Sequence, residues 1–142
     1  MAESVLYHRL SQANALDEFE VDSAAVSRDE LGHPVYPGTC SVLAQHNIPV
    51  REHYSRQITA EEYDHWDYIV LMDAKNAQRI RSIIPHDPDK KISMMMSWAG
   101  KDRDVKDPWY TGDFESCYDD ISEALTGLMQ ELGVESDETS GN

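Results

Sequence analysis

Asp107-Pro108-Trp109-Tyr110, with Phe114-Glu115 close behind, is the stretch whose residue types could do chemistry. A residue before proline is confined to extended or turn backbone, so Asp107 is a carboxyl group on a restrained support. Two aromatic side chains follow it and suit the flat wall of a lid over a ring-shaped leaving group. A proton donor placed in this way contributes about 10² to 10⁴ in rate when the leaving group is poor. Such a donor needs an attacking partner, and no nucleophile that could use it is evident in the 142 residues. Cys40 and Cys117 both fall on apolar faces of expected helices, where a cysteine packs as a small inert core residue.

The elements that must hold this stretch fit one domain of 142 residues with 40% hydrophobic side chains, enough for a single core. No apolar run approaches the roughly 20 residues that cross a bilayer. Met1-Ala2-Glu3-Ser4 has no basic n-region, so it does not read as a signal peptide. Two cysteines make no disulfide framework, which points to a reducing cytoplasm. The net charge of -15 repels nucleic acid and anionic membrane, and neither is expected as a partner.

Hydrophobic spacing predicts an amphipathic helix over Ala2 to Leu16, with Val5, Leu6, Leu10, Ala13 and Leu16 on its apolar side. Glu3, His8, Arg9 and Gln12 fall on the other side. Phe19-Glu20-Val21 alternates and reads as a short strand, and Asp22 to Val35 as a loop. Pro37 opens a second helix ending near Asn47. Thr59 and Glu62 form a capping-box pair for a short helix to about His65. The unbroken run Tyr68-Ile69-Val70-Leu71-Met72 reads as a strand buried on both faces of a parallel sheet. A helix over about Lys75 to Ile84 follows, and then a strand over Ile92 to Met96. Gly100 to Gly112 is a polar loop. Phe114 to Leu132 is a long helix stopped by Gly133, with Cys117, Ile121, Ala124, Leu125, Leu128 and Leu132 on one face. The alternation of helix and strand argues an α/β fold, a three-layer doubly wound parallel sheet. The domain spans 1–133, and 134–142 is an acidic, flexible tail. Two features sit oddly with that architecture: it opens on a helix, and three strands make a thin sheet for four helices.

Several of these segments together resemble the low-molecular-weight protein-tyrosine phosphatases. Met1-Ala2-Glu3, Val21-Asp22-Ser23-Ala24, Arg56-Gln57-Ile58-Thr59, Asp67 to Asp73 with Asn76, and Asp107-Pro108-Trp109-Tyr110 with Phe114-Glu115 follow the family's order over nearly the whole chain. The resemblance implies a cytoplasmic enzyme that needs no metal or other cofactor and hydrolyses phosphotyrosine or a small aryl phosphate. In that family a Cys-x5-Arg loop after the first strand supplies a thiolate nucleophile and a cradle of N–H donors for phosphate. A helix N-terminus and a nearby cation lower such a thiol to a pKa of roughly 3.5–7.5. The phosphoryl group in transfer spreads charge over its oxygens, which N–H donors and a bidentate Arg match.

By the same resemblance, Asp107 is the general acid and then the general base that activates water. Trp109 and Tyr110 are walls of the substrate cleft, with Trp109 standing where the family often has Tyr. His53, Asp73 and Asn76 are supporting residues. His53 matches a histidine that steadies the phosphate loop, and Asp73 and Asn76 follow the carboxyl end of a strand, where ligands bind in such sheets.

The Cys-x5-Arg loop itself is not among these residues: Cys40 has His46 six positions on, and Cys117 has Glu123. In the family Met-Ala-Glu directly follows that loop, so the resemblance implies an N-terminally truncated chain without the first, central strand. A gap between two unpaired strand edges is then expected in the core, and the chain alone is expected to be inactive. Three explanations follow: a true start further upstream, a natural remnant, or a strand supplied by another chain. Two alternative functions are a non-catalytic relative that binds a partner through the Trp109-Tyr110 region, and an arsenate reductase-like protein. The latter is disfavoured by the presence of Asp107 and the poor placement of Cys40 and Cys117 for a disulfide relay.

Overall fold

The computed structural model describes residues 1–26, 37–51, 56–106 and 112–134. Helix α1 covers Ala2–Gln12, α2 Pro37–Gln45, α3 Glu62–His65, α4 Ala74–Ile80 and α5 Phe114–Leu132. Strands β1 (Ile69–Leu71) and β2 (Ile92–Met94) pair in parallel, Ile69 opposite Ile92 and Leu71 opposite Met94.

β1 divides the molecule into layers because successive side chains of a strand point to opposite faces. Ile69 and Leu71 pack with Tyr63, Ile80 and Ile84 on the α3–α4 side. Val70 and Met72 turn the other way and pack on a larger cluster of Val5, Leu43, Met96, Leu125 and Leu128 beneath α1, α2 and α5. The resulting three-layer α/β arrangement is the expected one.

Several details depart from the expectations. α1 stops at Gln12, and Leu16 falls in a separate 3-10 turn over Leu16–Glu18, because Asn14 takes a left-handed φ of 57°. Two side chains placed on the solvent side of α1, Glu3 and Arg9, are buried. Each is compensated: Arg9 donates to Thr126 Oγ1 at 3.0 Å and to Ser122 O at 3.2 Å. Glu3 accepts from Ser23 Oγ at 2.6 Å and pairs with Arg51 at 3.2 Å. A buried charge persists only with such partners.

The second strand is Ile92–Met94, shorter than expected, since the chain coils into a 3-10 helix over Met95–Ala99. Helix α4 ends at Ile80, four residues early. Tyr68, expected inside the first buried strand, is 39% exposed. Only half of the capping box forms: Glu62 accepts the Thr59 N–H at 2.7 Å. In contrast, α5 runs over the expected span and stops where Gly133 takes a φ of 77°.

The main departure concerns Phe19-Glu20-Val21, which forms no strand. Ala25 makes one isolated parallel bridge to Gln57, and residues 19–24 otherwise line a cavity of about 490 Å³. Its opposite wall is the edge of β1, from Ile69 to Met72. A strand exists by its ladder of hydrogen bonds to a neighbour. Here a cavity lies between Phe19-Glu20-Val21 and β1, and no ladder forms across it. Arg56 fastens this outer segment instead, reaching Asp22 at 2.8 Å and Glu62 at 2.9 Å.

The Arg56 hydrogen bond is the main reason the Glu62 carboxyl is held down to about 2. A depressed carboxyl stabilises the fold above its unfolded pKa of about 4.3, and that contribution is lost as pH falls through the folded value. Urea denaturation at stepped pH should therefore show stability falling from about pH 5 toward about pH 2, with a shallower slope for Glu62→Gln. A second test concerns Gly127, where an added Cβ would lie 2.0 Å from the Trp98 carbonyl oxygen. Gly127→Ala should destabilise the fold by roughly 1–3 kcal/mol in thermal or urea melts, through overpacking against a backbone that cannot retreat.

Candidate active site at the carboxyl end of β1

The chain leaves β1 at Met72, and the polar groups that cluster there come from three distant stretches. Asp73 caps α4, its carboxylate accepting the Asn76 N–H at 2.8 Å. Asn76 turns its side chain back, and its Oδ1 accepts the Met72 N–H at 3.1 Å. These two predicted residues thus act together, fixing the turn from strand to helix. The segment 104–106 docks on the same end: Val105 N–H donates to Met72 O at 3.0 Å, and Ala74 N–H to Asp104 Oδ1 at 3.1 Å.

Asp120, on α5, locks that segment from the other side. Its two carboxylate oxygens each take a 2.8 Å hydrogen bond from the Arg103 guanidinium, and Oδ2 also accepts the Lys106 N–H at 2.9 Å. The Asp120 side chain is only 5% exposed. The Arg103 hydrogen bonds hold its carboxyl below the usual range, with help from the Lys106 N–H. Bidentate Arg–carboxylate pairs fix orientation as well as adding strength. Lys106 is the residue before Asp107.

The far side of the Asp107 stretch is fixed as well. Gly112 has a φ of 70°, and Asp113 caps α5 by accepting the Ser116 N–H at 3.0 Å. Phe114 lies against Gly38 at the start of α2, where an added Cβ would meet the ring at 2.3 Å. Glu115 reaches His46 at 2.7 Å, and the His46 ring stacks on Tyr118 at 3.9 Å. The Phe114-Glu115 pair therefore clamps α2 onto the first turn of α5.

Asp107, Trp109 and Tyr110 fall within 107–111, and His53 within 52–55, both outside the described residues. The anchors on either side of both stretches are described. Arg51, just before the second, donates its N–H to Ser4 Oγ at 3.0 Å, bonds Val21 O through its guanidinium, and stacks that group 4.4 Å over the Tyr7 ring. Arg56 follows it. Cys40 is half-buried and Cys117 buried, as the apolar helical faces implied. Among the described residues, no group of three His, Cys, Asp or Glu side chains is placed to hold a metal.

Residue patterns alone did not flag Asp120, Arg103 or Asp104. Asp120 left one legible trace: it stands three residues after Cys117 and four before Ala124, within the buried stripe of α5. An acid on an apolar stripe needs a partner, but the partner lies 17 residues away and no periodicity points to it.

Comparison with known proteins agrees with this geometry. Residues 1–138 match the family described as low molecular weight phosphotyrosine protein phosphatase. The low molecular weight protein-tyrosine-phosphatase PtpA of Staphylococcus aureus is 33% identical over 129 residues, covering 91% of this chain and 82% of the relative. The crystal structure of YfkJ from Bacillus subtilis superposes with a TM-score of 0.86 at 26% identity, covering 93% of this chain and 84% of that one. SP-PTP, the low molecular weight protein tyrosine phosphatase of Streptococcus pyogenes, superposes with a TM-score of 0.80 at 31% identity, covering 99% and 87%. With the family model matched over residues 1–138 and the fold shared, this chain belongs to the low molecular weight phosphotyrosine protein phosphatases.

Proposed function

We propose that the chain carries the proton-transfer half of a phosphotyrosine phosphatase, with Asp107 as its acid and base. The observation that carries this reading is the double anchoring of 104–106. Met72 O holds Val105 and Asp120 holds Lys106, so the two residues before Asp107 are fixed at the carboxyl end of β1. Ligands of open α/β sheets bind at that end. The match to the protein-tyrosine phosphatases of Staphylococcus aureus and Streptococcus pyogenes supports a phosphotyrosine protein or a small aryl phosphate as substrate.

In this reading a cysteine thiolate attacks phosphorus and the P–O bond to the tyrosine ring breaks. Asp107 gives its proton to the departing phenolate. It then takes a proton from water, which attacks the cysteinyl phosphate and releases the thiolate and inorganic phosphate. Trp109 and Tyr110 flank the ring, and His53, Asp73 and Asn76 support the site. Asn76 does so by holding the end of β1, and Asp73 by holding Asn76. The 142 residues contain no Cys-x5-Arg, so they supply neither the thiolate nor the phosphate cradle. The proposed phosphatase-like domain spans 1–133 and the acidic tail 134–142. A net charge of -15 supports a partner other than nucleic acid or anionic membrane, and the two free cysteines suit the cytoplasm. Among the described residues, no helix is long and apolar enough to cross a membrane.

Purified as these 142 residues, the protein should not hydrolyse para-nitrophenyl phosphate, and steady turnover by that material would overturn the division of labour. Fusion of an apolar strand and a Cys-x5-Arg-Ser-Pro loop ahead of Met1 should produce turnover. In the fusion, Asp107→Ala should lower kcat by about tenfold or more while leaving inhibition by inorganic phosphate nearly unchanged. An unchanged rate removes Asp107 from the mechanism. Asp120→Ala, which releases Arg103 and the Lys106 N–H, should lower kcat roughly tenfold with phosphate affinity within about twofold, because it misplaces the acid without touching the phosphate.

A further inference from the structure

A cleft of about 610 Å³ opens at the amino ends of β1 and β2, the end of the sheet away from the candidate active site. Tyr68, the residue before β1, is exposed on it. Its ring meets Trp98 edge to face, with centroids 6.1 Å apart and planes at 67°. The two rings therefore bound the cleft as a corner. Trp98 is fixed at both ends: Nε1 donates to Ser93 Oγ at 3.0 Å, and the backbone carbonyl packs on α5 at Gly127. A wall held in this way loses little freedom when a ligand arrives. Lys90 stands beside it with a left-handed φ of 56°, a conformation that costs any residue with a side chain. Asp87 closes that turn. Its carbonyl accepts the Lys90 N–H at 3.3 Å, and its Oδ1 accepts the Lys91 N–H at 2.7 Å.

The charges on the cleft are mixed. Asp67, Asp89 and Glu131 line it together with Lys90 and Lys91. An anionic ligand would meet the carboxylates and a cationic one the ammonium groups, so neither finds a field of one sign. A neutral ligand rich in hydroxyls uses both, because each hydroxyl can donate to a carboxylate and accept from an ammonium group. Hydrogen bonds with a charged partner are also the stronger kind. The aromatic corner adds a second requirement, a flat apolar face. A pyranose with equatorial hydroxyls meets both requirements, since its C–H faces are apolar and its rim is polar.

We propose that the cleft between Tyr68, Trp98 and Lys90 binds a neutral pyranose sugar, stacked on the aromatic corner with its hydroxyls on Lys90, Asp67 and Glu131. Nothing in this binding depends on catalysis, so it stands or falls apart from the phosphatase reading.

The test titrates the isotope-labelled 142-residue chain with methyl β-D-glucopyranoside and follows it by NMR. The Trp98 indole N–H resonance, assigned by its loss in Trp98→Phe, should shift saturably at millimolar sugar. Saturation transfer from the protein should reach the ring protons of the sugar. Tyr68→Ala, at an exposed position, should weaken binding roughly fivefold or more with Tm nearly unchanged. Lys90→Gly suits the left-handed backbone, so it should keep or raise Tm while weakening binding roughly threefold or more. The anionic methyl glucuronide and the cationic methyl glucosaminide should each bind more weakly than the neutral glucoside. Cellobiose distinguishes the source of the sugar: binding tighter than the glucoside supports a glycan chain, and equal binding supports a single sugar. No sugar-dependent shift at Trp98, an equal affinity in Tyr68→Ala, or tighter binding of either charged analogue would overturn the proposal.

Discussion

Three residues of β1 carry the architecture, because a strand cannot put successive side chains on the same face. Ile69 and Leu71 belong to one core and Val70 to the other, so the layers on either side are both committed to this one element. A strand in that position must also satisfy two edges. β2 answers one of them. The other borders the cavity, and across it residues 19–21 stay out of the sheet although their alternation suits a strand. Strand formation is a property of pairs, and a sequence favourable for one member does not create the other.

The carboxyl end of β1 shows how a site can be held by backbone groups supplied from far away. Met72 offers its carbonyl to Val105 and its amide to Asn76, so the end of the strand is tied to the start of α4 and to the segment before Asp107 together. Asp120 completes the arrangement from α5. Its carboxylate is nearly buried, yet it takes hydrogen bonds from Arg103 and the Lys106 N–H, and a buried acid of this kind orients what it touches. The same device recurs at Glu3, where Ser23 and Arg51 converge on a buried carboxylate at the first turn of α1. In a chain with 27 acidic residues, these two are internal fasteners, whereas most acids serve the surface.

The family resemblance was legible in short ordered motifs, and the long helix was legible nearly to the residue. Phe114 to Leu132 carries a full apolar stripe, an acid cap at Asp113 and a glycine stop, three local signals that agree. Short elements were read less well. Helix α4 ended early and β2 gave way to a 3-10 turn, because in a few residues packing outweighs pattern. The polarity of α1 was misjudged at Glu3 and Arg9 for a related reason: a charge is internal only when its partner is, and the partners sit 20 to 117 residues away.

Residue order alone determined the local signals: the capping acids, the glycine stop, the apolar run at 69–71 and the motif around Asp107. Each depends on neighbours within a few positions, where backbone geometry allows few choices. The three-dimensional packing decided which acids are buried, which edge of β1 is paired, and that Asp120 grips the residue before Asp107. Those outcomes depend on groups brought together across the chain, and a linear pattern carries no measure of distance between them.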